Sequence, residues 1–144
     1  MSRIEQLKQM MAGKLAAPPI SELIGFQLVQ LEEGMTVFEM ETSERHYNPM
    51  GTVHGGILGD LADAAMGMAL VSTLAENETM TTIELKINFL KPIWKGKLRA
   101  VGKLIKKGST IALLECQVYD EKNSLVAHST STCMILRGEK GAGR

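Results

Sequence analysis

Residues 48–70 read Asn48-Pro-Met-Gly-Thr-Val-His54-Gly55-Gly56-Ile-Leu-Gly-Asp60-Leu-Ala-Asp63-Ala-Ala-Met-Gly-Met-Ala-Leu70, and this stretch decides the fold. A polar loop leads into a glycine pair, and the pair leads into a segment that is apolar on nearly every side. A helix of that kind belongs inside a protein, covered by other elements. It nevertheless carries Asp60 and Asp63, which are costly to bury without partners. This conflict is the first indication of a functional site.

The composition predicts a single domain over residues 1–144, large enough to bury its own core. Sixteen basic residues balance sixteen acidic ones, so no basic excess indicates a nucleic-acid partner. Two carboxylates interrupt the longest apolar run, which argues against a membrane span. The chain start lacks the apolar core of a signal peptide. Two cysteines without metal-ligand spacing favour a reducing cytoplasm and predict no metal site.

Hydrophobic periodicity predicts two helices and six strands. Residues 3–16 form an amphipathic helix, and residues 1–19 are the N-terminal helix and its linker. The long central helix covers about 54–76, and residues 137–144 form a loose tail. Strands are expected at 25–31, 35–42, 81–90, 97–106, 110–119 and 125–136.

This order favours an α+β domain in which a six-stranded antiparallel sheet wraps one long central helix. Hairpin turns are expected to connect the last four strands as a meander. The central helix needs cover on its remaining sides, which a second subunit would supply. Cys116 and Cys133 are expected in the core, and His46 and His128 in a loop or on a strand surface.

The pattern resembles the hotdog fold and, within it, the PaaI-type acyl-CoA thioesterases of phenylacetate degradation. The resemblance covers about residues 20–136. Its most specific part is Asn48-Pro-x-Gly-x-Val-His54-Gly55-Gly56, followed by Asp63. The later Phe89-Leu90-Lys91-Pro92 and Lys106-Lys107-Gly108 also fit the family.

The resemblance implies hydrolysis of an acyl-CoA thioester to free acid and CoA. No cofactor is expected, since CoA is part of the substrate. The expected assembly is a homo-oligomer, at least a dimer and beyond that a tetramer built as a dimer of dimers. A non-catalytic acyl-CoA binder or sensor is an alternative function, and an enoyl-CoA hydratase or dehydratase on the same fold is another.

The start of the central helix is the expected oxyanion site. The first N–H groups of a helix have no internal partner and carry the positive end of its dipole. The Gly55 N–H would therefore stabilise a thioester oxyanion, and glycine at 55 and 56 lets the substrate approach the backbone. A glycine helix start chosen only for its turn is the alternative. His54 is expected to orient this loop.

Asp63 is the candidate nucleophile or general base, and the sequence does not choose between these roles. Its apolar helix is expected to raise its pKa. Eight residues along a helix span roughly 12 Å, so the site is expected to join Gly55 of one subunit to Asp63 of another across antiparallel helices. A structural Asp bonded to a strand is the alternative. Asp60 is expected to cap or pair at the dimer rim.

Two polar residues are expected to assist Asp63. Asn48 would position the attacking water or hold the carboxylate, and Thr82 would place its hydroxyl nearby. The alternatives are a turn former before Pro49 and an ordinary strand threonine. Some relatives have a Thr one turn after the acid where this chain has Gly67, which puts aryl specificity in doubt.

The remaining predictions concern substrate binding. A basic turn suits CoA phosphates, although a solvated hairpin tip is the alternative; the residues are Lys91, Lys106, Lys107 and Gly108. The acyl chain is expected in an apolar slot between subunits, with the first helix shaping its far end and a lining of Met50, Ile57, Leu61 and Met66. The acyl group stays open, from short to long chains and aryl groups.

Overall fold

A computed structural model describes residues 1–141. The N-terminal half contains α1 Arg3–Met11, α2 Pro19–Ile24, β1 Phe26–Glu32, β2 Met35–Thr42, a 3-10 turn Glu44–His46 and α3 Gly55–Val71. The C-terminal half contains β3 Glu78–Phe89, β4 Gly96–Lys107, β5 Ile111–Tyr119, β6 Leu125–Arg137 and a 3-10 turn Gly138–Gly141. Within residues 1–141, no helix has the length and apolar character needed to cross a membrane.

The six strands form one antiparallel sheet in the order β1-β2-β4-β5-β6-β3, which curves around α3. The predicted α+β hotdog architecture is confirmed. The predicted four-strand meander needs correction, because β3 pairs with β6 at the sheet edge and not with β4. Residues 90–95 carry the chain past the start of α3, where the Val53 N–H donates to the Ile93 carbonyl at 2.8 Å. These residues lead into β4, which lies beside β2 on the far side of the sheet.

Both long helices are shorter than their periodicity suggests. Helix α1 ends at Met11 because Gly13 adopts a left-handed φ of 78°. Helix α3 ends at Val71 because the next two hydroxyls bond back to helix carbonyls. Ser72 donates to the Ala69 carbonyl and Thr73 to that of Leu70, each at 2.7 Å.

The prediction for the C-terminal end needs correction. Gly138–Gly141 form a short 3-10 turn in place of a loose tail, and residues 142–144 lie outside the described part.

His46 lies in the predicted loop, within a 3-10 turn. It is only 6% exposed, and its ring accepts from the Ser43 N–H and donates to the Ile24 carbonyl, each at 3.0 Å.

Other placements agree with the sequence. Cys116 and Cys133 are buried in the core, as predicted. His128 lies half-exposed on β6, where its ring is 3.1 Å from Glu115.

A close backbone contact determines how α3 packs on the sheet. A Cβ at Gly102 of β4 would collide with the Ala65 carbonyl and lie 2.8 Å from the Met66 nitrogen. The buried hydroxyl of Thr36, on β2, donates to the same carbonyl at 2.6 Å. Together these contacts fix the rotation of α3, so that Ala65 faces the sheet and Asp63 faces away from it.

We expect Gly102→Ala to lower the free energy of unfolding by about 1–3 kcal/mol, because the added methyl overpacks a rigid backbone contact. Chemical denaturation measures the change. Gly67→Ala is the matched control, since a Cβ there would lie 3.8 Å from the Met80 methyl and alanine favours a helix. A Gly102→Ala protein as stable as the wild type would contradict this account of how α3 is held.

Candidate functional site

The backbone N–H groups of the two glycines at the start of α3 differ in their partners. His54 caps the helix: its ring Nδ1 accepts the Gly56 N–H at 2.8 Å. The Gly55 N–H has no hydrogen-bond acceptor among residues 1–141. The predicted loop-orienting contact of His54 is therefore present, and it leaves Gly55 as the donor available to a bound group.

A second feature of this helix start was missed by sequence reasoning. The ring of Phe89, at the end of β3, lies over Gly55, and a Cβ there would lie 2.8 Å from Phe89 Cζ. A side chain at position 55 would therefore need the Phe89 ring to move, and glycine also leaves room for an approaching substrate. The ring is 53% exposed. The family-like Phe89-Leu90-Lys91-Pro92 run was the available signal, but it does not indicate what Phe89 contacts.

Asp63 lies on the face of α3 that points away from the sheet. The Thr82 hydroxyl, on edge strand β3, donates to Asp63 Oδ1 at 3.4 Å. Asp60 lies one turn earlier on the same face, and both carboxylates are exposed in the single chain. The structure therefore brings Asp63 and Thr82 together, and it places Asp60 beside them.

The surroundings of Asp63 favour its neutral form. Partial burial raises the pKa of Asp63, the hydrogen bond from Thr82 lowers it, and the negative charge of Asp60 raises it, with a net rise. Partial burial also raises the pKa of Asp60. A carboxylate with a raised pKa accepts a proton more readily near neutral pH than an ordinary aspartate does, which suits a general base.

A cavity of about 610 Å³ opens beside these carboxylates. Its walls come from α3, from both edge strands and from residues 7–21, and Asp60, Asp63 and Thr82 are its acidic and hydroxyl groups on the α3–β3 side. This volume is typical of small-molecule sites.

The predicted slot lining needs correction at two positions. Leu61 and Met66 have no exposed surface because they face the sheet as part of the core. Met50 is 80% exposed at a loop tip and Ile57 is partly buried. Neither lines this single-chain cavity, and their place in a slot between subunits stays a prediction. The periodicity of a helix that is apolar all round does not identify the face that opens to a ligand.

Asn48 holds its own loop together. Its side-chain oxygen accepts the N–H groups of Met50 and Thr52 at 3.0 and 3.1 Å, and its amide donates to the Thr52 hydroxyl at 2.9 Å. It does not line the cavity beside Asp63 in the same chain. Asn48 therefore forms the turn, and its predicted contact with the Asp63 carboxylate stays a prediction.

The predicted phosphate-binding residues lie at two separate places. Lys107 donates to the Thr73 carbonyl at 3.0 Å, just beyond the end of α3, and the Gly108 N–H is used within its turn. Lys91 pairs with Asp120 at 2.7 Å. Of the three lysines, Lys106 alone has no ion pair or side-chain hydrogen bond among residues 1–141.

Metal chemistry has no obvious ligand set here. Among residues 1–141, no group of three or more His, Cys, Asp or Glu side chains is placed to hold a metal ion. Burial raises the pKa of the Cys116 thiol to about 12, so this cysteine is a core residue and not a nucleophile.

Known proteins resemble the chain along most of its length. The sequence model of the thioesterase superfamily matches residues 50–127. A Saccharolobus solfataricus protein named as a candidate esterase is 34% identical over 84% of this chain and 86% of its own. The 1,4-dihydroxy-2-naphthoyl-CoA hydrolase of Listeria monocytogenes is 26% identical over 84% of this chain and 98% of its own.

Solved structures resemble it as well. A candidate thioesterase from Ralstonia eutropha, described as related to phenylacetic acid degradation, superposes with a TM-score of 0.82 at 26% identity. The superposition covers 89% of this chain and 98% of that one.

We expect Thr82→Val to raise the pKa of Asp63, because the lost hydrogen bond stabilises the charged carboxylate. Asp60→Asn should lower the same pKa by removing a neighbouring negative charge. NMR titration of the Asp63 carboxyl carbon measures both shifts. Thr81→Val, one position earlier on β3, is the control and should leave the titration unchanged. Shifts in the opposite directions would contradict the assigned environment.

Proposed function

This chain belongs to the thioesterase superfamily, and from that premise we propose that it hydrolyses the thioester of an acyl-CoA at a site shared by two copies of the chain. The predicted resemblance to hotdog thioesterases is confirmed, and thioester hydrolysis is the chemistry of the family. The observation that carries the finer proposal is the Asp63 carboxylate, which has a raised pKa and a hydroxyl partner and lines an apolar cavity.

The Asp63 carboxylate supports two routes to the same products. As a general base it takes a proton from water, the hydroxide attacks the thioester carbon, and CoA leaves as the thiol after taking up that proton. As a nucleophile it forms a mixed anhydride with release of CoA, and water then hydrolyses the anhydride. Both consume one water and yield the free acid. Label from water in Asp63 would identify the nucleophilic route, since water that opens the anhydride at the Asp63 carbonyl leaves its oxygen there and the general-base route never does.

The Gly55 N–H is the proposed oxyanion donor. It is the unpaired donor at the positive end of the α3 dipole, where negative charge on the thioester oxygen would be stabilised. His54 occupies the Gly56 N–H, so the proposal assigns the oxyanion to a single backbone amide.

Two copies are proposed because one helix does not bring both groups to one carbonyl. Gly55 and Asp63 are eight residues apart on α3, roughly 12 Å along the axis. The α3 face with Asp63 is open, and beside it β3 is an edge strand whose Ile83 is 52% exposed. A two-fold pairing of this face would cover the edge and set each Gly55 near the partner's Asp63.

Acyl-CoA is the proposed substrate class because of one relative's name and one unpaired lysine. The Listeria relative is named for a CoA thioester, and Lys106 is the predicted phosphate ligand that remains unpaired within residues 1–141. Water is the only other reactant that the proposed chemistry needs. A dimer of dimers remains the expected assembly.

The direct test is thiol release from a panel of acyl-CoAs. We expect Asp63→Asn to lower kcat about 10²–10⁴-fold, the usual contribution of a general base. Glu41→Gln is the matched control, because Glu41 is an exposed carboxylate on β2 without an ion pair among residues 1–141. Full activity of Asp63→Asn would remove it from the mechanism. Saturable binding without thiol release in the wild type would indicate the non-catalytic alternative.

The shared site has its own test. Gly55→Pro removes the backbone N–H and suits the first turn of a helix, although the half-exposed Phe89 ring has to move aside for it. Gly55→Ala also displaces the ring but keeps the N–H, and it is the control for that displacement. Gly55→Pro and Asp63→Asn should each be inactive alone. Mixing the two unfolded chains and refolding them should restore about a quarter of wild-type activity, because a mixed dimer contains one intact site. If each site came from one chain, every site in the mixture would be defective and no activity would return.

A further inference from the structure

The N-terminal segment forms one wall of the cavity beside Asp63. The sheet curves around α3 and leaves a gap between its two edge strands, β1 and β3. Residues 1–21, here called the N-terminal strap, cross that gap. The cavity accordingly has Phe26 and Leu28 of β1 on one side, Met80 of β3 on the other, and strap residues as its cover.

The strap is fixed at its beginning. The Arg3 guanidinium donates to the Glu78 carbonyl at 2.8 Å, and the N-terminal ammonium is 3.1 Å from the Glu76 carboxylate. Leu7 is buried and faces the cavity. These contacts tie α1 to the start of β3, so the strap is a wall of the cavity and not a loose extension.

The cavity wall is suited to a flexible apolar chain. Four methionines line it, and methionine adapts to chains of varied shape; they are Met10, Met11, Met68 and Met80. The charged groups of the lining are Asp60 and Asp63, beside the Thr82 hydroxyl. A negatively charged group bound in this cavity would therefore find no positively charged side chain in the lining.

We propose that the cavity under the N-terminal strap binds a medium- or long-chain aliphatic acyl group, and that the strap sets the chain length accepted. The inference rests on the proposed hydrolysis of acyl-CoA and names its substrate class. The acyl chain lies in the protomer that supplies Asp63, with its thioester at the carboxylate. The strap residues act as specificity-determining residues and take no part in the chemistry.

The size of the cavity sets the range. At roughly 30 Å³ for a water-sized group, 610 Å³ corresponds to about 20 such groups, which gives room for a medium or long aliphatic chain. A two- to four-carbon acyl group would leave most of the apolar wall unfilled. An acyl chain that ends in a carboxylate would bury a charge without a partner and should be rejected.

Two neighbouring alanines of the strap provide a matched pair of variants. Both are exposed, but Ala17 lines the cavity and Ala16 does not. Thiol release gives kcat/KM for decanoyl-CoA and butyryl-CoA, and thermal unfolding verifies that each variant folds. We expect Ala17→Phe to lower the decanoyl-to-butyryl ratio at least tenfold, since each excluded methylene costs about fourfold. Ala16→Phe should keep the wild-type ratio within about twofold, as a change outside the cavity loses no such methylene.

A second measurement uses the wild-type protein. The ω-carboxylated analogue of decanoyl-CoA should be a much poorer substrate than decanoyl-CoA, by about tenfold or more, because burial of an unpaired charge is unfavourable. Equal rates for the two, or an unchanged ratio in folded Ala17→Phe, would overturn the assignment of the cavity and leave hydrolysis of acyl-CoA intact. Absence of thiol release from every acyl-CoA would overturn the proposed function and this inference with it.

Discussion

The contact of α3 with β4 and β2 is the constraint on which the rest of the structure depends. Gly102 lets two backbones approach closely, and the Thr36 hydroxyl binds the Ala65 carbonyl that faces it. A helix that is apolar on nearly every side has no preferred rotation from its own pattern. The contact supplies that preference, and it leaves Asp63 on the one face that the sheet does not cover.

Once α3 is held in this way, the chemistry of Asp63 depends on neighbours from other elements. Edge strand β3 provides the Thr82 hydroxyl, α3 itself provides the charge of Asp60, and the cavity wall provides partial burial. Burial has the largest effect on the pKa, so the carboxylate is more basic than a solvated aspartate. The Thr82 hydroxyl holds the Asp63 carboxylate and limits the rise of its pKa. One position on β3 therefore affects both the orientation and the basicity of Asp63.

The sequence was informative where a feature is local and uninformative where it depends on packing. The fold class and the strands follow from periodicity and turn residues, and one motif indicated that His54 orients its loop. The end of α3 did not follow from the sequence, because the Ser72 and Thr73 hydroxyls bond to helix carbonyls there. Leu61 and Met66 were predicted to line a ligand slot because both are apolar. The packing of α3 against the sheet instead buries them in the core.

The N-terminal segment and Phe89 illustrate the same limit. No local signal predicts that residues 1–21 close the gap between two strands that are far apart in sequence, nor that Phe89 lies on Gly55.

An assembled site would change the pKa of Asp63 in a defined direction. Covering the open face of α3 with a second copy removes water from the carboxylate, which raises its pKa further, and an acyl chain in the cavity does the same. In the proposed site, an oxyanion at the Gly55 N–H of the other copy would add negative charge nearby, so Asp63 would keep its proton until the tetrahedral intermediate collapses and CoA leaves. The groups that would make Asp63 a better base before attack would also make it a weaker acid afterwards, and the Thr82 hydrogen bond, which lowers the pKa of Asp63, works against that effect.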